Sequence, residues 1–383
     1  HVTGNKAHKN LIDAFVMIKR SAAVANMKTK AIDVKRGKAI VTACDKILSG
    51  KFTDQFVVDM INSGAGTAFN MNSNEVISNV ALEVLHKKRG QYEFLHPNDH
   101  VNMSQTEMKA KVVYRELLKE DLVIIRLVPE NGMPEYKTGQ FLTIGLPIPA
   151  EKKIVRRAYS IASHAENRDY FEFVIRWVRK PLPGRVTTEL FYLSVGDEVS
   201  LGDPTGAALQ ISDTLHSGKK DNRRVICVGG GTGLAPFIAF AKHFHDTNDK
   251  REVVVLHGAS YVDELSYKRF LTDLELESEK RGRDTWNFRY KAAISRPKEF
   301  FNRSWNGHVG RVESFFKPDK KTNLSPVEEM VGEELTPENS IIYICGYQGT
   351  IDGVIDYLGS KGFVTEHEKK SDGSFGIKYE SYG

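Results

Sequence analysis

Two short strings carry the groups best suited to holding phosphorylated cofactors: RRAYSIAS at residues 156–163 and VGGGTGLAPF at residues 228–237. In the first, strand alternation sends Arg157 and Tyr159 to one face and Ser160 to the other or into the backbone turn. A guanidinium pairs with a diphosphate in bidentate fashion, a phenol ring lies against an isoalloxazine, and a hydroxyl hydrogen-bonds the flavin's redox-active nitrogen. Arg157, Ala158, Tyr159 and Ser160 therefore read as FAD contacts. Downstream, Pro183-Gly184-Arg185-Val186-Thr187-Thr188 precedes a helix expected over residues 189–193. Gly184, Val186 and Thr187 would offer free backbone N–H groups and a hydroxyl as a second phosphate clamp.

The second string has the order that a dinucleotide needs. A compact apolar strand at residues 224–228 empties into five residues, Gly229-Gly230-Gly231-Thr232-Gly233, and a helix opens at Leu234-Ala235-Pro236-Phe237. Glycines let the backbone approach a pyrophosphate, and Pro236 suits a first helical turn, where a missing N–H costs nothing. Gly231, Thr232, Gly233 and Pro236 are the expected contacts. The spacing departs from the GxGxxG fingerprint at its final glycine.

Dinucleotide choice rests on the ends of the following strands. The strand at residues 253–256 ends in His257-Gly258-Ala259-Ser260, with no acid at the tip to take a ribose hydroxyl. Ser295, Arg296 and Arg311 instead supply a hydroxyl and guanidinium groups suited to a 2′-phosphate, so NADP(H) is expected over NAD. The last expected strand, residues 341–344, ends in Cys345-Gly346-Tyr347, which places Cys345 and Gly346 in the nicotinamide pocket. No base is paired with Cys345 in the sequence, so a nucleophilic role is not expected.

The elements that must position these residues show three textures. Up to about residue 107, apolar positions such as Leu11, Phe15, Ile18 and Ala22 recur at helical spacing. Residues 108–218 hold short β-branched runs separated by turn signals, the pattern of an antiparallel β-barrel. From residue 219 to 383, strand-like and helical stretches alternate, indicating an α/β doubly wound parallel sheet. The expected fold is thus multi-domain.

Cys44, Cys227 and Cys345 lack metal-ligand spacing, and an odd count argues against a disulfide framework. His96 and His100 are spaced i, i+4, but Pro97 argues against a regular helix, so no metal is expected. No apolar stretch approaches a membrane span, and a cytoplasmic location is the expectation. The net charge of +5 does not call for nucleic acid, yet a local basic patch would favour an acidic redox partner.

Residues 108–383 resemble the ferredoxin–NADP reductase family through the ordered set RAYS, GGGTGLAPF, SR with a later GR, and CGY. The resemblance implies hydride transfer between NADP(H) and FAD, with single electrons passed to or from ferredoxin or flavodoxin. It gives Arg157, Tyr159 and Ser160 to FAD, Gly231, Thr232 and Gly233 to the pyrophosphate, and Ser295, Arg296 and Arg311 to the 2′-phosphate. The ending Glu380-Ser381-Tyr382-Gly383 is similar to the tail of short bacterial reductases, which implies that Tyr382 covers the flavin face and that Glu380 supports its protonation. Ser260 or Tyr261 stands where an arginine is common. Alternatives are a reductase component for an oxygenase or free flavin, or an assembly protein with a vestigial flavin site.

Residues 63–83 and 95–105 are similar to the aspartase/fumarase family, with Thr67, Asn70, His96 and Asn98 matching its active-site segments. Ala68 and Phe69 depart from the pattern, and the family's helical bundle and serine loop are absent from the sequence. Lyase activity is not expected, while oligomerisation through this segment is open.

Overall fold

The computed structural model describes residues 6–28, 32–59, 67–102, 108–148, 153–178 and 183–382. Residues 63–66 and 103–105 of the aspartase-like strings, the turn at 181–182, Gly383 and the side chains of Thr67 and Asn98 lie outside that description. The chain forms two compact units, His1–Thr106 and Glu107–Gly383.

The first unit is built on helices α1 (Lys9–Lys28), α2 (Val34–Leu48) and α3 (Thr67–Val84). Ile12, Val16 and Ala23 fall on one face of α1 and pack with Ile40, Ala43 and Ile47 of α2 and Ile77 of α3. Asp33 caps α2, its carboxylate accepting the Arg36 N–H at 2.9 Å. Pro97–Val101 forms a single π turn in which the His96 N–H donates to His100 Nδ1 at 2.7 Å. No group of His, Cys, Asp and Glu among the described residues is placed to hold a metal.

The second unit contains two six-stranded sheets. Strands β1 (Met108–Lys119), β2 (Leu122–Pro129), β3 (Phe141–Ile148), β4 (Lys153–Ser160), β5 (Phe171–Arg176) and β6 (Glu198–Leu201) pair antiparallel in the order β4-β3-β6-β1-β2-β5. The first half of β1 alternates buried and exposed, as expected of a sheet with one wet face. Helix α4 (Arg185–Tyr192) starts at Arg185, ahead of the expected 189, so Val186 and Thr187 sit in its first turn and are buried. The glycine turn already satisfies helix geometry there: the Thr188 N–H donates to the Gly184 carbonyl at 2.8 Å.

The other sheet is parallel and ordered β10-β9-β8-β7-β11-β12. It comprises β7 (Arg224–Gly230), β8 (Val253–Ala259), β9 (Phe288–Ile294), β10 (His308–Val309), β11 (Ser340–Gly346) and β12 (Ile377–Ser381). Strands β8 and β11 are buried along their whole length, because helices cover both faces. The helices are α5 (Ala235–Thr247), α6 (Lys268–Arg281), α7 (Pro326–Val331) and α8 (Gln348–Gly359). Strand order reverses between β7 and β11, so their carboxyl ends open onto a common crevice.

Two strands correct the sequence reading. β11 is not the last strand, because β12 adds in parallel beside it and places Glu380 opposite Cys345. The two-residue β10 pairs with β9 and was hidden by its brevity.

Candidate active site

At the switch point the chain gathers side chains from three strands. β7 ends in Gly229-Gly230, and Gly231 turns with φ +57°, a conformation open to glycine without strain. A 3₁₀ turn, Gly231–Leu234, then delivers the chain to α5, with Pro236 in the first turn. Close packing explains the later glycine: a Cβ at Gly233 would lie 2.7 Å from both the Cys345 carbonyl carbon and the Tyr382 hydroxyl. Neither α4 nor α5 has a side-chain N-cap; at α5 the preceding 3₁₀ turn takes the Ala235 N–H onto the Thr232 carbonyl.

Cys345 is fully buried at the end of β11 beside Gly229. Burial, and then the Glu380 carboxylate, push its thiol well above the ordinary range, opposed by the Ser160 hydroxyl facing it. A thiol held protonated in this way is a poor nucleophile. Burial raises the Glu380 carboxyl to about 7. The Tyr382 hydroxyl donates to the Gly230 carbonyl, and its ring lies 5.4 Å from that of Tyr347. Burial pushes the Tyr382 phenol up as well. Ser160, Cys345, Glu380 and Tyr382 thus converge, although β4 belongs to the antiparallel sheet and β11 and β12 to the parallel one.

On the flavin side, Tyr159 Oη and Thr187 Oγ1 are 2.8 Å apart, which joins β4 to the first turn of α4. Arg157 and Ala158 are exposed, and Gly184 is the residue preceding the helix. An exposed guanidinium two residues before Tyr159, whose hydroxyl meets the first turn of α4, fits the charge of a diphosphate. Trp177 donates to Thr188 Oγ1 at 3.0 Å and packs against Phe191, backing α4, while Phe173 is core.

The proposed 2′-phosphate residues lie past adjacent strand ends. Ala259 pairs with Ile294, and Ile294 with Val309, so Ser260, Ser295, Arg296 and Arg311 follow three neighbouring strands. Arg296 is exposed, its guanidinium over the Tyr261 ring at 5.4 Å and donating to the Tyr261 hydroxyl at 3.0 Å. Sequence reasoning missed Asn302. Buried, it donates to the carbonyls of Ser260 at 2.9 Å and Arg296 at 2.7 Å, and accepts the Val262 N–H at 2.9 Å. Nothing in its sequence setting, within FFNRSW, signals this clamp. His257 was missed too: burial holds its imidazole down to about 4, so it stays neutral behind Gly231.

In the first unit, Asn70 donates to Asn102 Oδ1 at 3.4 Å, and Lys19 donates to the same oxygen. His96 packs edge-on against Tyr92 with ring centroids 5.8 Å apart.

These features define an oxidoreductase unit preceded by a lyase-type segment. Residues 109–209 match the oxidoreductase FAD-binding domain family, residues 227–355 the oxidoreductase NAD-binding domain family, and residues 2–114 the lyase family. FAD and a nicotinamide dinucleotide are accordingly the cofactors of the second unit, whose fold is ferredoxin-reductase-like.

Among particular proteins, the chain is similar to a ferredoxin NADP+ reductase from Neisseria gonorrhoeae, solved with bound FAD and NADP. The TM-score is 0.55 at 20% identity, covering 72% of this chain and 98% of that one. It is also similar to the cytochrome b5 reductase domain of Ulva prolifera nitrate reductase, with a TM-score of 0.54 at 19% identity, covering 72% of this chain and 97% of that one. The N-terminal segment is 53% identical over 105 residues to aspartate ammonia-lyase of Bacillus subtilis (strain 168), covering 27% of this chain and 22% of that relative. The chain therefore spans about a fifth of the length of the curated relatives it matches. No described helix is long and apolar enough to cross a membrane.

Proposed function

We propose that the chain is an FAD-dependent oxidoreductase of the ferredoxin/flavodoxin–NADP(+) reductase type. The observation that carries this reading is the meeting of Ser160 from β4 with Cys345 and Glu380 from β11 and β12. FAD held by these residues would supply the chemistry of accepting a hydride from NADPH and releasing electrons one at a time. In this reading Arg157, Ala158, Tyr159, Gly184, Val186 and Thr187 hold the flavin. Gly231, Thr232, Gly233, Pro236 and Gly346 receive the dinucleotide. Ser160 and Glu380, whose carboxyl burial raises to about 7, would hold a proton beside the flavin, and Tyr382 would move aside to admit the nicotinamide. Ser295, Arg296 and Arg311, with Tyr261 and Asn302 steadying Arg296, favour NADP(H) over NAD(H).

The same reading closes the antiparallel sheet into a barrel between β4 and β5, with domains at 108–218 and 219–383. It assigns an acidic carrier such as ferredoxin or flavodoxin as partner and the cytoplasm as location. The segment at 1–107 has no lyase activity in this account, and any role in oligomerisation is separate from electron transfer. A carrier assay tests the acceptor. NADPH-driven reduction of cytochrome c should require added ferredoxin or flavodoxin and weaken as salt rises. Equal turnover with free flavin and no carrier would replace this acceptor with the rival one.

A further inference from the structure

Glu172 of β5 is fully buried, yet it is ionised and held from two sides. Arg126 of β2, in the same sheet, donates to its Oε2 at 2.7 Å. Lys242 of α5, the helix that starts at the glycine loop, donates to its Oε1 at 2.8 Å. Burial alone would raise this carboxyl, but Lys242, the facing Tyr267 hydroxyl and Arg126 outweigh it and hold it below the ordinary value. Tyr267 adopts φ +56°, a costly conformation for a bulky residue, immediately before α6.

The backbone of the same residue reaches the flavin strand. The Glu172 carbonyl accepts the Ala162 N–H at 2.7 Å, and its N–H donates to Ser163 Oγ at 3.1 Å. Ala162 and Ser163 follow Ser160 by two and three residues. One residue therefore grips the segment behind the flavin-facing hydroxyl through its main chain and the dinucleotide helix through its side chain. Among the described residues, His164 with Asp246 at 2.7 Å and His243 with Glu166 at 2.8 Å also tie the loop after β4 to α5, each through a partly exposed carboxylate, whereas Glu172 is fully buried. Arg176 with Glu264 at 2.5 Å and Lys119 with Asp263 at 3.1 Å join β5 and β1 to the segment after β8.

We infer that Glu172 is a positioning residue that fixes the distance between the flavin strand and the dinucleotide helix, and so sets the rate of flavin reduction without touching either cofactor. This rests on the proposed reductase function. A displacement of a fraction of an ångström between reacting rings is sufficient for a large rate loss, about 100-fold per ångström in positioned reactions.

The test uses the FAD-loaded full chain with Glu172→Gln and Lys242→Met, singly and together. Anaerobic stopped-flow measures flavin reduction over a range of NADPH concentrations, which separates the limiting rate from NADPH affinity, and dithionite serves as a nucleotide-free control. Both single variants should keep FAD, bind NADPH within about twofold of the parent, respond to dithionite as the parent does, and lose at least about tenfold in limiting rate. The double variant should lose no more than the worse single one, as expected of one linkage. Limiting rates within about twofold of the parent, or an equal slowing with dithionite, would overturn the inference. Should Glu172→Gln fail to fold, Lys242→Met, at a partly exposed site, decides alone. A parent chain bleached by dithionite but by neither nicotinamide would instead refute the functional reading, and the positioning role with it.

Discussion

The two units of this chain show that sequence identity and functional content are different quantities. The N-terminal unit is 53% identical to a known lyase, while the second unit is 20% identical to a solved reductase. Yet the first spans about a fifth of its relative, and among its described site residues Asn70 meets Asn102, which Lys19 also contacts, and His96 packs against Tyr92 and reaches His100. The second aligns with nearly the whole of its relative and brings β4, β11, β12 and the glycine loop to one crevice. Chemistry needs the complete set of elements that converge, and a well-matched fragment does not supply them.

The largest test of that contrast is Gly233→Val. A side chain there would press on the Cys345 carbonyl and the Tyr382 hydroxyl, so NADPH-driven flavin reduction should fall by at least about 100-fold while FAD stays bound. Stopped-flow rates within a few-fold of the parent would dissolve the crevice as the reaction site. Next, Arg296→Ala should raise the KM for NADPH by roughly 10- to 100-fold, equivalent to about 1.5–3 kcal/mol for a charge-assisted hydrogen bond, and leave NADH unchanged. An unchanged NADPH/NADH ratio would remove the guanidinium from 2′-phosphate recognition.

A smaller effect follows from Glu380. Its folded value of about 7 lies above the ordinary 4.5, so the folded chain binds the extra proton. Stability is then greatest below about 4.5 and declines as pH rises toward about 7, by about 1–3 kcal/mol given partial exposure. Glu380→Gln should flatten the melting temperature across this window and weaken any pH dependence of flavin reduction centred near its upper end. The smallest effect belongs to the other unit. Asn70→Ala should leave flavin reduction unchanged, and a clear loss would show that the two units share a function.

Much of the second unit was legible because its signals are local. Alternation in β1, the apolar runs of β7 and β8, and the strand-glycine-helix order at 228–237 each lie within one stretch of chain. What escaped was set by distance along the chain. β10 is two residues long and exists by pairing with β9, and β12 forms because it lies beside β11. Asn302 and Glu172 look like ordinary surface polars in sequence, and only the fold reveals that they are buried and saturated with donors or acceptors. The early start of α4 reflects Gly184 accepting from Thr188, a bond that propensity alone does not signal.

The cofactor pair is tested most directly by an anaerobic visible titration of the purified full chain with NADPH and, separately, with NADH. NADPH should bleach the flavin spectrum at lower concentration and faster than NADH. A chain that takes up no FAD, or whose bound flavin responds to neither nucleotide, would contradict it.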